Sequence, residues 1–154
     1  MLARTVCFAA AALLGYASAS LGAEPSAQKS GACPDTAAGN RIEVTVKLVN
    51  RVPKPDIDPI DLTNCERNVR IHWQLDAAGW QFRNDGIVVT DDYEGQFSNG
   101  HAEDDNHAKP GPGRHHYFDN KNAGGRRHKY NITVYPAGGS GKALRNDPVI
   151  VNRP

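Results

Sequence analysis

The chain has 154 residues, which is enough for one compact domain with a hydrophobic core and too few for two domains of ordinary size. Its 18 basic and 17 acidic residues nearly balance, and loss of Arg4 with an N-terminal leader would make them equal. Because proteins that bind nucleic acid usually carry a basic excess, this balance argues against a nucleic-acid partner.

The N-terminus has the order of a secretory signal peptide. Arg4 precedes an apolar run over residues 6–14, and small residues follow at positions 17–19. The run is shorter than the roughly 20 residues that cross a bilayer, so we expect cleavage after Ala19, or after Ala23, and no transmembrane anchor. The predicted division is a signal peptide over 1–19, a flexible lead-in over 20–40 and a folded domain over 41–154.

Two cysteines remain after the predicted leader, Cys33 and Cys65. In an exported protein an even pair is most simply interpreted as one disulfide. In the chain-entropy model such a bond stabilises the fold by about 3–4 kcal/mol. The alternative is a thiolate metal site, which lacks the usual Cys-x-x-Cys spacing.

Three segments of the mature chain alternate apolar and polar residues with a period of two, which predicts β-strands with one buried face. They cover residues 41–50, 68–76 and 129–135. In the second segment Arg70, His72 and Gln74 are expected to face solvent. The predicted inward residues are Ile42, Val44, Val46, Leu48, Val69, Ile71, Trp73, Leu75, Tyr130, Ile132 and Val134.

About seven or eight short strands, separated by Gly, Pro, Asn and Asp, are expected in all, and no segment shows helical spacing. This pattern predicts an all-β fold, an antiparallel Ig-like or cupredoxin-like β-sandwich, with a small closed barrel as the alternative. Residues 99–113 are polar and rich in Pro and Gly, so we expect a long loop there.

Histidine is the one enriched functional residue type. The simpler interpretation is that these histidines lie in a solvated loop and on strand faces. Because imidazole and carboxylate groups together suit Zn²⁺ or Cu²⁺, a metal site in the loop region is the alternative. A blue-copper centre is excluded because Met1 leaves with the leader. The candidate ligands are His101, His107, and His115 or His116, with His128, Glu103, Asp104 and Asp105 nearby.

A second candidate contact surface is the basic run Arg126, Arg127 and Lys129. Such a run could meet a phosphate or another polyanion. It is also typical of a charged hairpin tip that keeps a strand end soluble. Neither this run nor any other segment carries an enzyme signature, so we expect no catalytic activity.

Four segments together resemble a group of small secreted proteobacterial proteins that are β-sandwiches of unknown function. They are Asp58-Pro59-Ile60-x-Leu62, Ile71-His72-Trp73-Gln74-Leu75, Tyr130-Asn131-Ile132-Thr133-Val134 and the terminal Asp147-Pro148-Val149-Ile150-Val151-Asn152. The resemblance covers about residues 41–154. It implies a sandwich fold and a periplasmic or extracellular location in a Gram-negative bacterium, and it implies no activity.

The expected function is therefore that of an exported, non-catalytic accessory protein of the cell envelope. Its partner would be an envelope protein or a surface ligand, bound through the loops at residues 99–113 and 124–128. The alternative is a periplasmic metal-binding protein that uses the histidine-rich loop for copper or zinc.

Overall fold

The computed structural model describes residues 40–107 and 109–154. Over these residues the chain is all-β, without a helix, and its strands form two mixed sheets consistent with a sandwich. The strands are β1 (Arg41–Val49), β2 (Val52–Pro55), β3 (Ile60–Asp61), β4 (Val69–Asp76), β5 (Trp80–Gln81), β6 (Ile87–Val89), β7 (Phe97–Glu103), β8 (His115–Asn120), β9 (Arg127–Pro136), β10 (Leu144–Asn146) and β11 (Val149–Val151).

The first sheet has the strand order β2-β1-β4-β8-β7. The second sheet is built around β9, the longest strand, which pairs with β10 and β11 and also with the short strands β5 and β6. The strand β3 completes the second sheet beside β11. In each sheet a long alternating strand therefore lies in the interior, where both of its edges are hydrogen-bonded.

The expectation of a purely antiparallel sandwich was wrong in two places. β1 pairs with β4 in parallel, and β3 pairs with β11 in parallel. A period of two indicates which side chains share a face, but it carries no information about the direction of the neighbouring strand. The chain between β1 and β4 visits the second sheet through β3, so β4 returns beside β1 in the same direction. Strands as short as β3 and β5 also leave too few residues for a pattern.

The hydrophobic core lies between the two sheets, and the strands predicted from alternation supply it. Trp73 of β4 is fully buried, and its ring centroid lies 5.6 Å from that of Tyr130 on β9. The predicted inward residues of β1, β4 and β9 are buried, except for Leu48, which is partly buried against the core. The sequence pattern therefore predicted the inner face of these three strands correctly.

The prediction that residues 99–113 form one long loop was wrong for the first part of this segment. β7 runs from Phe97 to Glu103 and pairs with β8, with a register shift between Ser98 and His101. Gly100 lies within this shift, and a Cβ there would stand 2.2 Å from Cζ of Phe118. The part of β7 from Asn99 onwards was predicted to be loop because its outer residues are polar and it contains a glycine. Only the remainder of the segment, from Asp104 onwards, connects the two strands.

The predicted signal peptide and Cys33 lie outside the described residues, as does the predicted lead-in apart from Asn40. Cys65 is buried, and its pairing with Cys33 stays a prediction. Over the two described ranges no helix is long and apolar enough to cross a membrane.

Candidate functional site

Four strands of the first sheet place polar side chains in one row on the sheet's outer face, away from the core. The register pairs Glu43 of β1 with His72 of β4, His72 with Tyr117 of β8, and Tyr117 with His101 of β7. Residues directly opposite each other on neighbouring strands lie close enough for their side chains to interact. His115 precedes Tyr117 by two residues on β8, so it lies on the same face, opposite Glu103 of β7.

The connection between β7 and β8 places a further histidine, His107, against this row. The His107 ring centroid lies 4.0 Å from that of His115, and Nδ1 of His107 lies 2.9 Å from the Tyr117 hydroxyl. His72 and His115 are only 4% and 6% exposed, although both belong to the outer face. We call this group the outer-face cluster; its members are Glu43, His72, Glu103, His107, His115 and Tyr117.

Two histidines of the outer-face cluster face each other directly. Nε2 of His72 lies 2.9 Å from Nδ1 of His115, and the Tyr117 ring stacks on His72 with centroids 4.4 Å apart. The other nitrogen of His72, Nδ1, contacts the Glu43 carboxylate and lies 2.7 Å from Nη2 of Arg41. A carboxylate only accepts hydrogen bonds and a guanidinium only donates them, so the tautomer of His72 decides which of these contacts is a hydrogen bond.

Burial lowers the pKa of both facing histidines. For His72 desolvation is the largest cause; the Glu43 carboxylate opposes it, while Arg41 and His115 add to it. For His115 desolvation again comes first, and His107 adds to it. Both imidazoles therefore favour the neutral form, which is the form that offers a lone pair to a metal ion or a proton.

Glu103 links the two histidines nearer the sheet edge. Its carboxylate oxygens lie 3.0 Å from Nε2 of His101 and 3.3 Å from Nδ1 of His107. Burial alone would raise the pKa of Glu103, but its contacts with these two histidines lower it overall. The Asn99 carbonyl and Glu103 raise the pKa of His101. Both nitrogens of His101 are engaged, since Nδ1 lies 2.7 Å from the Asn99 carbonyl oxygen.

Two arginines border the outer-face cluster and are paired in register on β1 and β4. Arg41 forms an ion pair with Glu43, and its Cζ lies 5.7 Å from the Tyr117 ring centroid. Arg70 binds the Asp119 carboxylate, with Nε 2.7 Å from Oδ1. A cavity of about 290 Å³ opens beside them and is lined by Arg41, Arg70, His101, Glu103, His107 and Tyr117.

The structure brings together three of the four candidate ligands predicted from the sequence, His101, His107 and His115. It places His116 on the opposite face of β8, inside the core. His116 is fully buried, with Nε2 3.2 Å from the Asn84 carbonyl oxygen, and its ring stacks on Phe118. Burial lowers the pKa of His116 to about 4. Consecutive residues of a strand point to opposite faces, so His115 and His116 cannot join one site.

Sequence reasoning missed three members of the outer-face cluster, Glu43, His72 and Tyr117. The alternation of β4 did place His72 on the outer face, but the expectation that it meets solvent was wrong. The parallel neighbour β1 and the β7–β8 connection bury it, and neither is visible in a local pattern. The sequence did carry one signal for this pair, since Glu43 and His72 both occupy outward positions of strongly alternating segments.

The basic run lies elsewhere, at the start of β9. His128 points into the core, where its ring centroid lies 5.1 Å from that of Phe97. Arg127 and Lys129 are exposed on the opposite face of the strand. Arg126 pairs with Glu94 at 2.9 Å. The alternation of a strand thus separates the histidine from its basic neighbours, and contact with a polyanion stays a prediction.

Within residues 40–107 and 109–154, no three histidine, cysteine, aspartate or glutamate side chains stand in an arrangement that could hold a metal ion. Two nitrogen donors, from His72 and His115, face each other, and a third imidazole lies beside them. Comparison of the chain with protein-family models and with curated proteins finds no match.

Proposed function

We propose that this protein is an exported, non-catalytic binding protein that captures a divalent transition-metal ion, Zn²⁺ or Cu²⁺, on the outer face of its first sheet. The observation that carries the proposal is the 2.9 Å approach of Nε2 of His72 to Nδ1 of His115, with the Glu43 carboxylate on the far nitrogen of His72.

The His72–His115 pair has the chemistry of a metal-ligand pair. The 2.9 Å separation of the two facing nitrogens is that of an N–H···N hydrogen bond, so the two rings would have to turn slightly apart to place both nitrogens at the roughly 2.0–2.1 Å of a zinc–nitrogen bond. A histidine ligand usually donates its other ring N–H to a carboxylate, which orients the ring and makes the ligand more basic. Glu43 stands where that carboxylate is needed. The lowered pKa of both imidazoles favours their neutral form, so no net proton has to be released. The N–H that joins Nε2 of His72 to Nδ1 of His115 must nevertheless move to the other nitrogen of its ring before both nitrogens can bind an ion.

The third ligand that we propose is His107. Its Nδ1 is engaged by Tyr117 and Glu103, while its ring lies closest to His115. Capture of an ion requires the exposed His107 imidazole to turn towards His72 and His115. His107 lies on a turn, where its own backbone nitrogen donates to the Asp104 carbonyl oxygen at 3.0 Å, so the side chain can rotate without breaking a strand.

The charges around the outer-face cluster favour a cation. Two guanidinium groups, Arg41 and Arg70, are opposed by three carboxylates, Glu43, Glu103 and Asp119. With neutral histidines the neighbourhood carries one negative charge in excess. A divalent ion entering this partly buried region is therefore attracted rather than repelled.

We propose that the sandwich is of the Ig-like or cupredoxin-like type, and the two packed sheets with a mixed strand order support this. Location in the cell envelope is likewise proposed, on the basis of the predicted leader at residues 1–19. Of the two functions expected from the sequence, this proposal adopts the alternative, a metal-binding protein of the cell envelope.

The test is metal titration of the mature protein, purified without a polyhistidine tag and stripped with chelator. Zn²⁺, Cu²⁺ and Ni²⁺ are titrated separately by calorimetry, and thermal unfolding is recorded with each ion. We expect at least one of the three metals to bind at one ion per protein molecule. It should stabilise the fold by about 3 kcal/mol when its free concentration is a hundredfold above Kd.

The matched variants are His115→Gln and His101→Gln, two histidines on the same face of neighbouring strands. The His115→Gln substitution should abolish the stabilisation, while His101→Gln should keep it, because His101 already uses both nitrogens on Asn99 and Glu103. Circular dichroism checks that both variants fold. Equal binding by wild type and His115→Gln, or loss of binding in His101→Gln alone, would overturn the proposed ligand set.

A further inference from the structure

A second cavity, of about 330 Å³, has a lining that includes no member of the outer-face cluster. Its volume lies at the lower end of the roughly 300–1,000 Å³ that is usual for small-molecule sites. Trp80, Gln81, Asp105 and Arg114 contribute its large side chains, and the other described residues of the lining are alanine, glycine and proline. A ligand in this cavity would therefore meet one aromatic residue and three polar ones.

Backbone hydrogen bonds hold the walls of this cavity in place. Trp80 lies on β5, which pairs with β9, and the Ala137 N–H donates to the Gly79 carbonyl oxygen at 2.9 Å. Phe82 and Gly113 donate to each other's carbonyl oxygens at 2.7 and 3.2 Å, so they join the segment after β5 to the β7–β8 connection. The cavity is therefore formed before a ligand enters, and binding has to order little of the chain.

Trp80 provides the apolar part of the lining. It is half-buried and packs against the hydrophobic core, and it also lines the cavity. Packing against the core fixes the indole, and an aromatic ring offers a large flat surface to the C–H groups of a ligand. A ligand with one flat apolar face fits beside it.

Asp105 and Arg114 form an ion pair at the same cavity. Oδ1 of Asp105 accepts the backbone N–H of Arg114 at 2.9 Å, and Oδ2 accepts Nε–H at 3.0 Å. Burial alone would raise the pKa of Asp105, but its contacts with Arg114 lower it overall, so the carboxylate is ionised. A carboxylate has further lone pairs, and the two Nη atoms of a guanidinium carry four more N–H groups. The pair therefore presents acceptors and donors side by side.

These properties select an uncharged ligand. Among the described residues of the lining, Asp105 and Arg114 are the ionisable ones, and their charges cancel. A hydroxyl group both donates and accepts hydrogen bonds, so it can bind a paired carboxylate and guanidinium without separating them. The amide of Gln81 likewise offers a donor and an acceptor. A sugar ring combines hydroxyl groups along its edge with a flat C–H surface on its face.

We propose that this cavity binds a neutral mono- or disaccharide, with one ring face on Trp80 and with hydroxyl groups on Asp105, Arg114 and Gln81. The saccharide would be a second ligand of the protein. Its binding does not depend on the metal ion proposed above, because none of these four residues belongs to the outer-face cluster.

The experiment is an NMR titration of ¹⁵N-labelled mature protein that has been stripped of metal with chelator. The chain has 2 tryptophans, and the indole N–H of the fully buried Trp73 serves as an internal control for that of Trp80. Glucose, galactose, mannose, N-acetylglucosamine, cellobiose and maltose are titrated separately, with sorbitol as a polyol that has no ring. We expect at least one saccharide to shift the Trp80 signal saturably while the Trp73 signal stays in place.

The main test variant is Arg114→Gln, which removes the guanidinium and keeps Trp80 as the reporter. Loss of its charged hydrogen bonds should weaken saccharide binding about tenfold or more. The matched control is Arg145→Gln, which breaks another exposed arginine–aspartate pair, with Nε of Arg145 3.5 Å from Oδ1 of Asp147, outside the cavity lining. This control should bind the saccharide with unchanged affinity.

Three results would overturn the proposed saccharide site. The first is no saturable shift of the Trp80 signal with any of the six saccharides. The second is an equal response to sorbitol, which would indicate a solvent effect. The third is the same affinity in wild type and Arg114→Gln, or an equal loss in Arg145→Gln. Each of these results leaves the proposed metal binding untouched, because all titrations use metal-free protein.

Discussion

His115 and His116 are neighbours on β8, yet they lie on opposite faces of the first sheet and are buried by different parts of the molecule. The core between the sheets buries His116, where the rings of Trp73, Phe82 and Phe118 surround it. His115 is buried on the outer face, next to His107 of the β7–β8 connection and His72 of the neighbouring strand.

Burial therefore has two different origins in this sheet. On the inner face it results from packing of two sheets around apolar side chains, and it stabilises the fold. On the outer face it results from one connection lying over a polar row, and it favours the neutral form of the imidazoles there. Substitutions on the inner face should therefore lower the free energy of unfolding strongly. Substitutions on the outer face should lower it less, and their effects should stay within the outer-face cluster.

The largest difference should appear between adjacent residues of β4. Trp73 is fully buried in the core, while Gln74 is exposed on the outer face. We expect Trp73→Ala to lower the free energy of unfolding by about 3–5 kcal/mol, because it leaves a cavity between the sheets. Gln74→Ala should change it by less than about 0.5 kcal/mol. Urea unfolding of both variants measures this, and similar losses would contradict the assignment of the two faces.

A somewhat smaller effect should come from acid, through His116. An unfolded histidine titrates near pH 6.5, and burial lowers the pKa of His116 to about 4. The unfolded chain therefore binds a proton that the folded chain does not. Above pH 6.5 this difference does not affect stability. As the pH falls from 6.5 to 4, the free energy of unfolding decreases by about 3 kcal/mol.

The nearest polar partner of His116 is the Asn84 carbonyl, and Asp85 and His101 act on it from greater distance. Urea unfolding of metal-free protein at a series of pH values measures the slope, with His116→Leu as the comparison. The variant should lose stability less steeply over this range. The same slope in both proteins would show that His116 is not the group responsible.

The smallest effect that we predict concerns the connection over the outer face. A Cβ at Gly113 would stand 2.1 Å from the Glu103 carbonyl oxygen, which is backbone and must shift. Gly113→Ala should therefore lower the free energy of unfolding by about 1–3 kcal/mol. It should also raise the pKa of the His115 imidazole towards its ordinary value, because a displaced β7–β8 connection leaves this imidazole less buried.

Gly111→Ala is the matched control, since a Cβ there meets nothing within 4 Å. It should change the free energy of unfolding by less than about 0.5 kcal/mol. NMR titration of the imidazoles, with chemical unfolding, measures both effects. An unchanged His115 pKa in Gly113→Ala would mean that the connection does not cause its burial.

The long alternating strands were predictable because their burial depends on local order. β1, β4 and β9 repeat apolar residues with a period of two, and any sheet that covers one face of them selects the same inward side chains. For the same reason the polar part of β7 around Gly100 was predicted to be a loop.

Local sequence patterns are enough to predict an all-β chain, the inner face of its long strands and a concentration of histidines near residues 101–116. Which of these histidines meet depends on the tertiary fold. It paired β1 with β4 in parallel, which placed Glu43 beside His72, and it packed the β7–β8 connection so that His107 reached His115. The physical reason is that a face is set by the period of one strand, whereas a site is set by the register and direction of its neighbours, which residues far apart in the chain determine together.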